Sequence, residues 1–148
     1  MSLEKDVMTQ MKAAMKAKDA AALEALRAVK SAILLAKTEN SQQDLSEEQE
    51  IKILQKLVKQ RKDSAILYRE QNREDLAEPE EKQAEVIAQF LPEQLSEAEI
   101  EAKVEVIIAQ TGAEGMKDMG KVMGLASKEL AGKADGKTIS MVVKKKLA

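Results

Sequence analysis

Two glycines lie four residues apart in a lysine-bearing segment, Lys117-Asp-Met-Gly-Lys-Val-Met-Gly124. If this segment is helical, Gly120 and Gly124 lie on one face of the helix. Glycine inside a helix costs about 1 kcal/mol relative to alanine, so two of them need a reason. The spacing favours close packing of a neighbouring helix. The alternative is close approach of a ligand, for example a nucleic-acid backbone, with Lys121 beside it.

A second segment with binding chemistry follows, Gly132-Lys-Ala-Asp-Gly-Lys137. Gly132 is typical of the residue after a helix, and Asp135 is typical of an N-cap. Free N–H groups at the next helix start, with Lys133 and Lys137 close by, would bind a phosphate-sized anion. A plain helix–turn–helix joint is the alternative. Neither glycine segment has the spacing of a nucleotide-binding loop, so no nucleotide site is predicted.

A third candidate is a row of cations in the stretch from residue 52 to residue 73. Lys56 and Lys59 are three residues apart, and Arg69 and Arg73 are four apart, so each pair shares a helix face. Such a basic stripe could neutralise RNA phosphates. The alternative is an ordinary solvated helix face.

The residue types exclude much enzyme chemistry. The 148 residues contain no Cys and no His. Disulfides, thiolate catalysis and zinc–thiolate sites are therefore excluded, and the usual general base and commonest transition-metal ligand are missing. We assign no catalytic residue, no metal ligand and no cofactor.

The elements that must position these segments are helices. Aromatic residues make up 1% of the chain, all six glycines lie at or after Gly112, and there are only two prolines. Because this composition lacks the turn residues of β-hairpins, the predicted fold class is all-α. The apolar spacing and capping residues predict seven helices: Leu3–Lys16, Asp19–Thr38, Ser46–Asn72, Pro79–Phe90, Ser96–Gln110, Met116–Ala131 and a last one from Asp135-Gly136 or Thr138 to Leu147.

The Leu91-Pro92 pair predicts a domain boundary, because a residue before proline is disfavoured in a helix. We expect an N-terminal helical domain at residues 1–92 and a small C-terminal helical domain at residues 93–148. The net charge of −2 conceals a pattern: +3 over residues 1–73, −9 over 74–105 and +4 over 106–148. No secretory signal and no long apolar run are visible, so we expect a cytoplasmic protein.

Several segments, in this order and spacing, resemble the YqeY family. That family shares its C-terminal portion with the tail of the B subunit of the tRNA-dependent amidotransferase (GatB). The resemblance covers nearly the whole chain, although Phe90 stands where the family more often has Tyr. The segments that carry it are Met15-Lys-Ala-Lys-Asp19, Leu26-Arg27, Ser31-Ala-Ile33, Lys59-Gln-Arg-Lys-Asp-Ser64, Tyr68, Arg73-Glu-Asp-Leu-Ala77, Phe90-Leu-Pro-Glu-Gln-Leu95, Asp118-Met-Gly-Lys-Val-Met-Gly124 and Lys133-Ala-Asp-Gly-Lys137.

The resemblance implies an N-terminal domain of the YqeY type and a C-terminal domain of the GatB-tail type. Proteins like this are described as amidotransferase-like, with carbon–nitrogen ligase activity that uses glutamine as amide donor. In the amidotransferase, the tail helps bind tRNA, and the amide chemistry belongs to other domains and subunits. The resemblance therefore implies a tRNA-associated accessory protein that is not catalytic alone.

The expected ligand is tRNA or another structured RNA, and an amidotransferase or other enzyme is a possible protein partner. The alternative is a protein-interaction adaptor without RNA binding, in which the acidic segment 74–105 docks on a basic partner. The candidate RNA-binding residues are Gly120, Lys121, Gly124, Lys133, Lys137, Lys56, Lys59, Arg69 and Arg73.

Overall fold

A computed structural model describes residues 2–41 and 43–148, which form seven α-helices, one short 3₁₀ turn and no strand. The predicted all-α class is confirmed. None of the helices in this described part is long and apolar enough to cross a membrane. The elements are α1 (Leu3–Ala17), α2 (Ala20–Glu39), α3 (Glu47–Glu70), α4 (Glu74–Ala88), α5 (Glu97–Thr111), a 3₁₀ turn (Met116–Asp118), α6 (Met119–Glu129) and α7 (Gly136–Leu147).

Most helices begin where the capping residues predict. At the start of α3, the Ser46 hydroxyl accepts from the Gln49 backbone N–H at 3.2 Å, and the Gln49 side chain accepts from the Ser46 N–H at 2.8 Å. Ser96 and Glu99 form the same reciprocal pair at α5, at 3.2 and 3.1 Å. Both capping boxes satisfy N–H groups that a helix start leaves without a partner. The predicted loop at residues 39–44 includes Gln42, which lies outside the described residues.

The predicted start of α4 is wrong. Pro79 does not lie in the first turn, because α4 begins five residues earlier, at Glu74, and Pro79 is inside the helix. Glu74 and Asp75 occupy the first turn, where negative charge is favourable at the helix N-terminus. Ala77, in the next turn, is fully buried, and α4 as a whole packs extensively against α3. These contributions outweigh the one backbone hydrogen bond that proline removes.

The predicted helix Met116–Ala131 is also shorter than expected. Its first three residues form the 3₁₀ turn, and α6 itself ends at Glu129. The Asp118 carboxylate accepts from the Glu114 backbone N–H at 2.8 Å, which fixes the turn before α6. Gly115, at φ 83°, adopts a left-handed conformation that disfavours an earlier helix start.

The chain divides into two compact units, one formed by the described residues up to Leu91 and one from Pro92 to Ala148. In the first unit, α1–α4 enclose a core that includes Val7, Leu26, Val29, Leu54 and Ile87. The longest shared interface is between α3 and α4, which follow each other through a tight turn.

In the second unit, α5, α6 and α7 pack around a separate core. Ile107, Val122, Leu130, Ile139 and Val143 are all buried there. Aliphatic side chains fill this core entirely, since neither aromatic residue of the chain lies in the second unit. The two glycine segments with lysines both belong to this unit.

Candidate nucleic-acid interface

The two glycines of α6 lie on its solvent face. A Cβ atom built on Gly120 or Gly124 would have no described atom within 4 Å, apart from the local helix backbone. The packing that the spacing favours is therefore not found within the described chain. The reason is that α6 packs through its opposite face, where Val122 and Ala126 are fully buried.

Small side chains continue this open face along the same side of α6. Ser127 follows Gly120 and Gly124 at helical spacing, Ala131 lies in the turn directly after α6, and all four residues are exposed. We call these four residues the small-residue ridge. A ridge with no side chain longer than serine leaves the helix backbone accessible to a bulky ligand.

Lysines border the small-residue ridge. Lys121 and Lys128 are exposed and lie seven residues apart, which is about 10 Å along a helix axis. The Lys121 Nζ donates to the Thr111 carbonyl oxygen at 3.5 Å. Among the described residues, no carboxylate lies within ion-pair distance of either lysine. Sequence reasoning missed Lys128 as a candidate, although its spacing from Lys121 was available as a signal.

The joint between α6 and α7 carries the next two predicted residues, Lys133 and Lys137. Both side chains are exposed, and neither has a carboxylate partner in the described part of the chain. The backbone of the joint is held in place by residues that precede α5. Leu95 donates its N–H to the Lys133 carbonyl at 2.9 Å, and the Gln94 side chain donates to the Gly132 carbonyl at 2.7 Å.

The start of α7 is capped by its own chain. The Asp135 carboxylate accepts from the Thr138 backbone N–H at 2.8 Å and from the Thr138 hydroxyl at 3.0 Å. A capping carboxylate places negative charge at the position that a bound phosphate would take. The geometry therefore favours the plain helix–turn–helix joint, and Lys133 and Lys137 are available as exposed cations around it.

The basic stripe of α3 has a different electrostatic environment. Lys59 pairs with Asp63 at 3.0 Å, and Arg73 pairs with Asp75 at 3.0 Å. Arg69 contacts Glu74 at 2.9 Å and also pairs with Glu81. Lys56 is the one member of the predicted set on α3 and α4 without an ion-pair partner among the residues described.

These pairs shift the protonation equilibria of the stripe. Hydrogen bonds that Arg69 donates to the Glu81 and Glu74 carboxylates raise the pKa of Arg69 far above its usual value. In turn, Arg69 lowers the pKa of both glutamates, and Arg73 lowers the pKa of Asp75. All of these groups are charged at neutral pH, and the three carboxylates more than neutralise the two arginines.

The predicted candidate residues therefore fall into two groups in different units. Gly120, Lys121 and Gly124 share α6, with Lys133 and Lys137 on the following joint and on α7. The remaining four, Lys56, Lys59, Arg69 and Arg73, lie on α3 or at its C-terminal turn. Only the first group combines exposed cations that lack carboxylate partners with an accessible helix backbone.

A scan against family models matches the model described as "Yqey-like protein" over residues 4–147. The chain belongs to the Yqey-like family. This match covers both units, so the family includes the α6–α7 surface as well as the α1–α4 core.

This Yqey-like chain is also similar to a yeast protein. It is 36% identical over 111 residues to "Altered inheritance of mitochondria protein 41, mitochondrial" from Lachancea thermotolerans. The similarity covers 74% of this chain and 57% of the yeast protein. The chain thus matches little more than half the length of that relative.

The Yqey-like chain offers few groups for covalent chemistry. With neither Cys nor His, it lacks the residues that most often act as nucleophile and general base in amide chemistry. In the described part of the chain, no group of three or more carboxylates is placed so that it could hold a metal ion.

Proposed function

We propose that this protein is an RNA-binding accessory protein whose ligand is tRNA. The observation that carries the proposal is the small-residue ridge of α6, which is open to solvent and bordered by lysines without carboxylate partners. Membership of the family and the similarity to the Lachancea protein fit an accessory role. The resemblance of the second unit to the GatB tail supports the choice of tRNA over other structured RNA.

Binding by this surface would be electrostatic. Lys121, Lys128, Lys133 and Lys137 would neutralise phosphates, and release of the condensed counterions would supply most of the affinity. Lysine is a point charge, and the second unit contains no arginine and no aromatic residue. Bidentate reading of guanine and stacking on unpaired bases are therefore disfavoured. Recognition would rest on phosphate positions and the shape of folded RNA.

The enzymatic part of the proposal is indirect. Amide transfer from glutamine needs an activated nucleophile, and activation of a carboxyl group needs a bound nucleotide. This chain has no Cys–His pair and no phosphate-binding loop sequence. We therefore assign it a role beside a carbon–nitrogen ligase, in which it presents RNA to a partner that performs the chemistry.

The test is a fluorescence titration of tRNA at about 50 mM and about 200 mM salt, where counterion release predicts a strong loss of affinity. We expect a dissociation constant on the order of micromolar at the lower salt concentration. The variant Lys121→Glu plus Lys133→Glu should weaken binding about fivefold or more. An acidic helical protein of similar size gives the background.

The matched control is Lys56→Glu plus Lys59→Glu, which changes net charge equally on the other candidate surface. Its affinity should stay within about twofold of the parent protein. A larger loss in the control than in the first variant would move the site to α3. Absence of binding at low salt would overturn the proposal and favour the adaptor.

The adaptor alternative finds less support in its acidic segment than the net charge indicates. Cations outside this segment pair with several of its carboxylates. Arg69 pairs with Glu74 and Glu81, and Arg73 pairs with Asp75. Lys145 pairs with Glu101, and Lys146 pairs with Glu105. Five of the eleven acidic side chains in this segment are therefore already paired with cations. A basic partner would gain from the remaining carboxylates only.

A further inference from the structure

The outer surface of α1 and α2 combines exposed apolar side chains with cations. On α1, Lys5, Met8, Lys12 and Met15 follow one another at spacings of three, four and three residues, and all four are exposed. This is the spacing of a helix–helix seam, in which every such position faces a partner. Met8 and Met15 are 42% and 60% exposed, so the seam is unpartnered within the described chain.

The seam continues onto α2 through a small groove. Met8 and Val7 of α1 line this groove together with Lys30, Ile33 and Leu34 of α2, and its volume is about 180 Å³. Leu34 is 55% exposed. The volume is below the roughly 300 Å³ at which small-molecule sites usually begin. The groove therefore suits one inserted side chain of a larger partner.

The charges around the groove are positive and uncompensated. No carboxylate among the described residues lies within ion-pair distance of Lys5, Lys12, Arg27 or Lys30. Glu4 also lines the groove, but its carboxylate is held by Lys37 of α2. The groove is therefore apolar at its centre, where Met8 and Leu34 lie, and positively charged around its edge.

We propose that this surface, which we call the α1–α2 groove, binds an acidic amphipathic helix of a partner protein. A helix with apolar residues every three or four positions would insert one side chain between Met8 and Leu34. Its flanking Glu or Asp side chains would then pair with Lys12 and Lys30. Methionine suits this role because its flexible thioether adapts to the shape of an inserted side chain.

Two other ligands fit the surface less well. An RNA backbone would gain from the cations but would leave Met8, Met15 and Leu34 in contact with water or phosphate. An anionic membrane favours a convex face with aromatic anchors, whereas this surface is concave and α1 and α2 contain no aromatic residue. The inference is independent of RNA binding by the second unit.

The experiment uses the full-length protein and a fluorescein-labelled 18-residue peptide. The peptide has leucine at helical spacing on one face and glutamate elsewhere, and a scrambled peptide of the same composition is the control. Fluorescence anisotropy should give a dissociation constant on the order of tens of micromolar for the amphipathic peptide. The scrambled peptide should bind at least about fivefold more weakly. Equal binding of both peptides, or no binding, would overturn the proposal.

Variants locate the binding surface. Leu34→Ser should weaken peptide binding about fivefold, whereas Leu67→Ser on α3 should leave it unchanged, because the two leucines are equally exposed at 55% and 56%. Lys12→Glu plus Lys30→Glu should weaken binding more than Lys128→Glu plus Lys144→Glu, which changes net charge equally in the other unit. Similar losses in variant and control would contradict the assignment.

Two further measurements separate the occupants. Sedimentation equilibrium at tens of micromolar would reveal a dimer if a second copy covers the groove, and Leu34→Ser would then dissociate it. Co-sedimentation with phosphatidylglycerol vesicles would reveal a membrane ligand if Leu34→Ser abolishes it. We expect a monomer and no vesicle binding, and either positive result with that variant pattern would overturn the proposal.

Discussion

The basic stripe of α3 and the lysine surface of α6–α7 both carry several exposed cations, but in the described part of the chain carboxylates neutralise most of the cations in the first and none of those in the second. Along α3 and its C-terminal turn, Lys59, Arg69 and Arg73 each contact a carboxylate. Lys121, Lys133 and Lys137 contact none among the described residues. The difference teaches that the spacing of cations along a helix does not by itself predict a phosphate-binding surface. The carboxylates that neighbouring turns and helices place beside the cations also decide whether the surface can bind an anion.

The neutralisation on α3 follows from how α4 is placed. Because α4 begins at Glu74, directly after the turn that ends α3, its first turn lies beside Arg69. Glu81 lies two helical turns further along the same face of α4 and reaches the same guanidinium. Arg69 therefore ties α3 to α4. No helix of the described chain packs against the exposed face of α6, so its lysines meet no carboxylate there.

The largest effect that sharpens this comparison concerns the α6 glycines. Gly124→Ala should raise the free energy of unfolding by about 1 kcal/mol, because alanine is the better helix former and its methyl group meets open space. Gly120→Ala should raise the free energy of unfolding by less than Gly124→Ala does, since Gly120 lies in the first turn of α6. Thermal and urea unfolding followed by circular dichroism would measure both.

Ser127→Ala is the control for the glycine variants, because it lies on the same ridge and should change stability by only a few tenths of a kcal/mol. A loss of stability in Gly124→Ala would contradict the open face and restore the helix-packing explanation. A gain in stability together with unchanged RNA affinity would show that a methyl group does not block the RNA.

The next largest effect is expected when the carboxylates that pair with the α3 stripe are removed, so that the stripe resembles the α6 surface. Glu74→Gln plus Glu81→Gln releases Arg69 from both carboxylates, so tRNA affinity at low salt should rise about threefold. Glu78→Gln plus Glu85→Gln changes net charge equally on the same face of α4, without contacting Arg69, and is the control. If both double variants raise affinity equally, net charge alone decides binding.

Most of the fold could be predicted because its signals are local. Ser46 with Gln49 and Ser96 with Glu99 define helix starts within four residues of sequence, and the structure confirms both. The start of α4 could not be predicted in the same way. Pro79 is a strong local signal for a first turn, and the stabilisation that overrides it comes from packing against α3 and from Arg69.

The candidate site was less predictable for a related reason. The i to i+4 spacing of Gly120 and Gly124 serves helix packing and ligand approach equally well. Which of the two applies depends on whether another helix covers that face, and this is a property of the assembled second unit. The stripe on α3 shows the same limit, since the carboxylate partners of Arg69 are five and twelve residues away in sequence.

The pH dependence of stability tests whether the Arg69 ion pairs stabilise the fold. Because Arg69 lowers the pKa of Glu74 and Glu81, their pairing stabilises the fold above the ordinary glutamate pKa of about 4.3. That contribution is lost as the pH falls through the lowered values. Arg69→Gln should therefore lower the thermal midpoint at pH 7, with the difference from the parent protein shrinking below about pH 4.

The size of the Arg69 effect should be modest, since exposed ion pairs are screened by water and salt. Lys56→Gln is the control, because Lys56 has no carboxylate partner among the described residues and should leave the pH profile unchanged. A constant difference between Arg69→Gln and the parent protein from pH 7 to pH 3 would show that Arg69 acts through packing of its aliphatic stem.

The smallest expected effect lies at the other end of α3, where a carboxylate is disfavoured. Partial burial and the neighbouring Glu4 raise the pKa of Glu50, so its charged form weakens the folded state. A carboxyl group with a raised pKa gives its full stabilisation below its ordinary pKa and loses it as the pH rises. Glu50→Gln should thus raise the thermal midpoint slightly at pH 7 and lose that advantage near pH 4. Glu48→Gln, two residues earlier on the exposed side and beside Lys52, should show no such gain, and a gain of equal size there would mean that relief of general negative charge explains both.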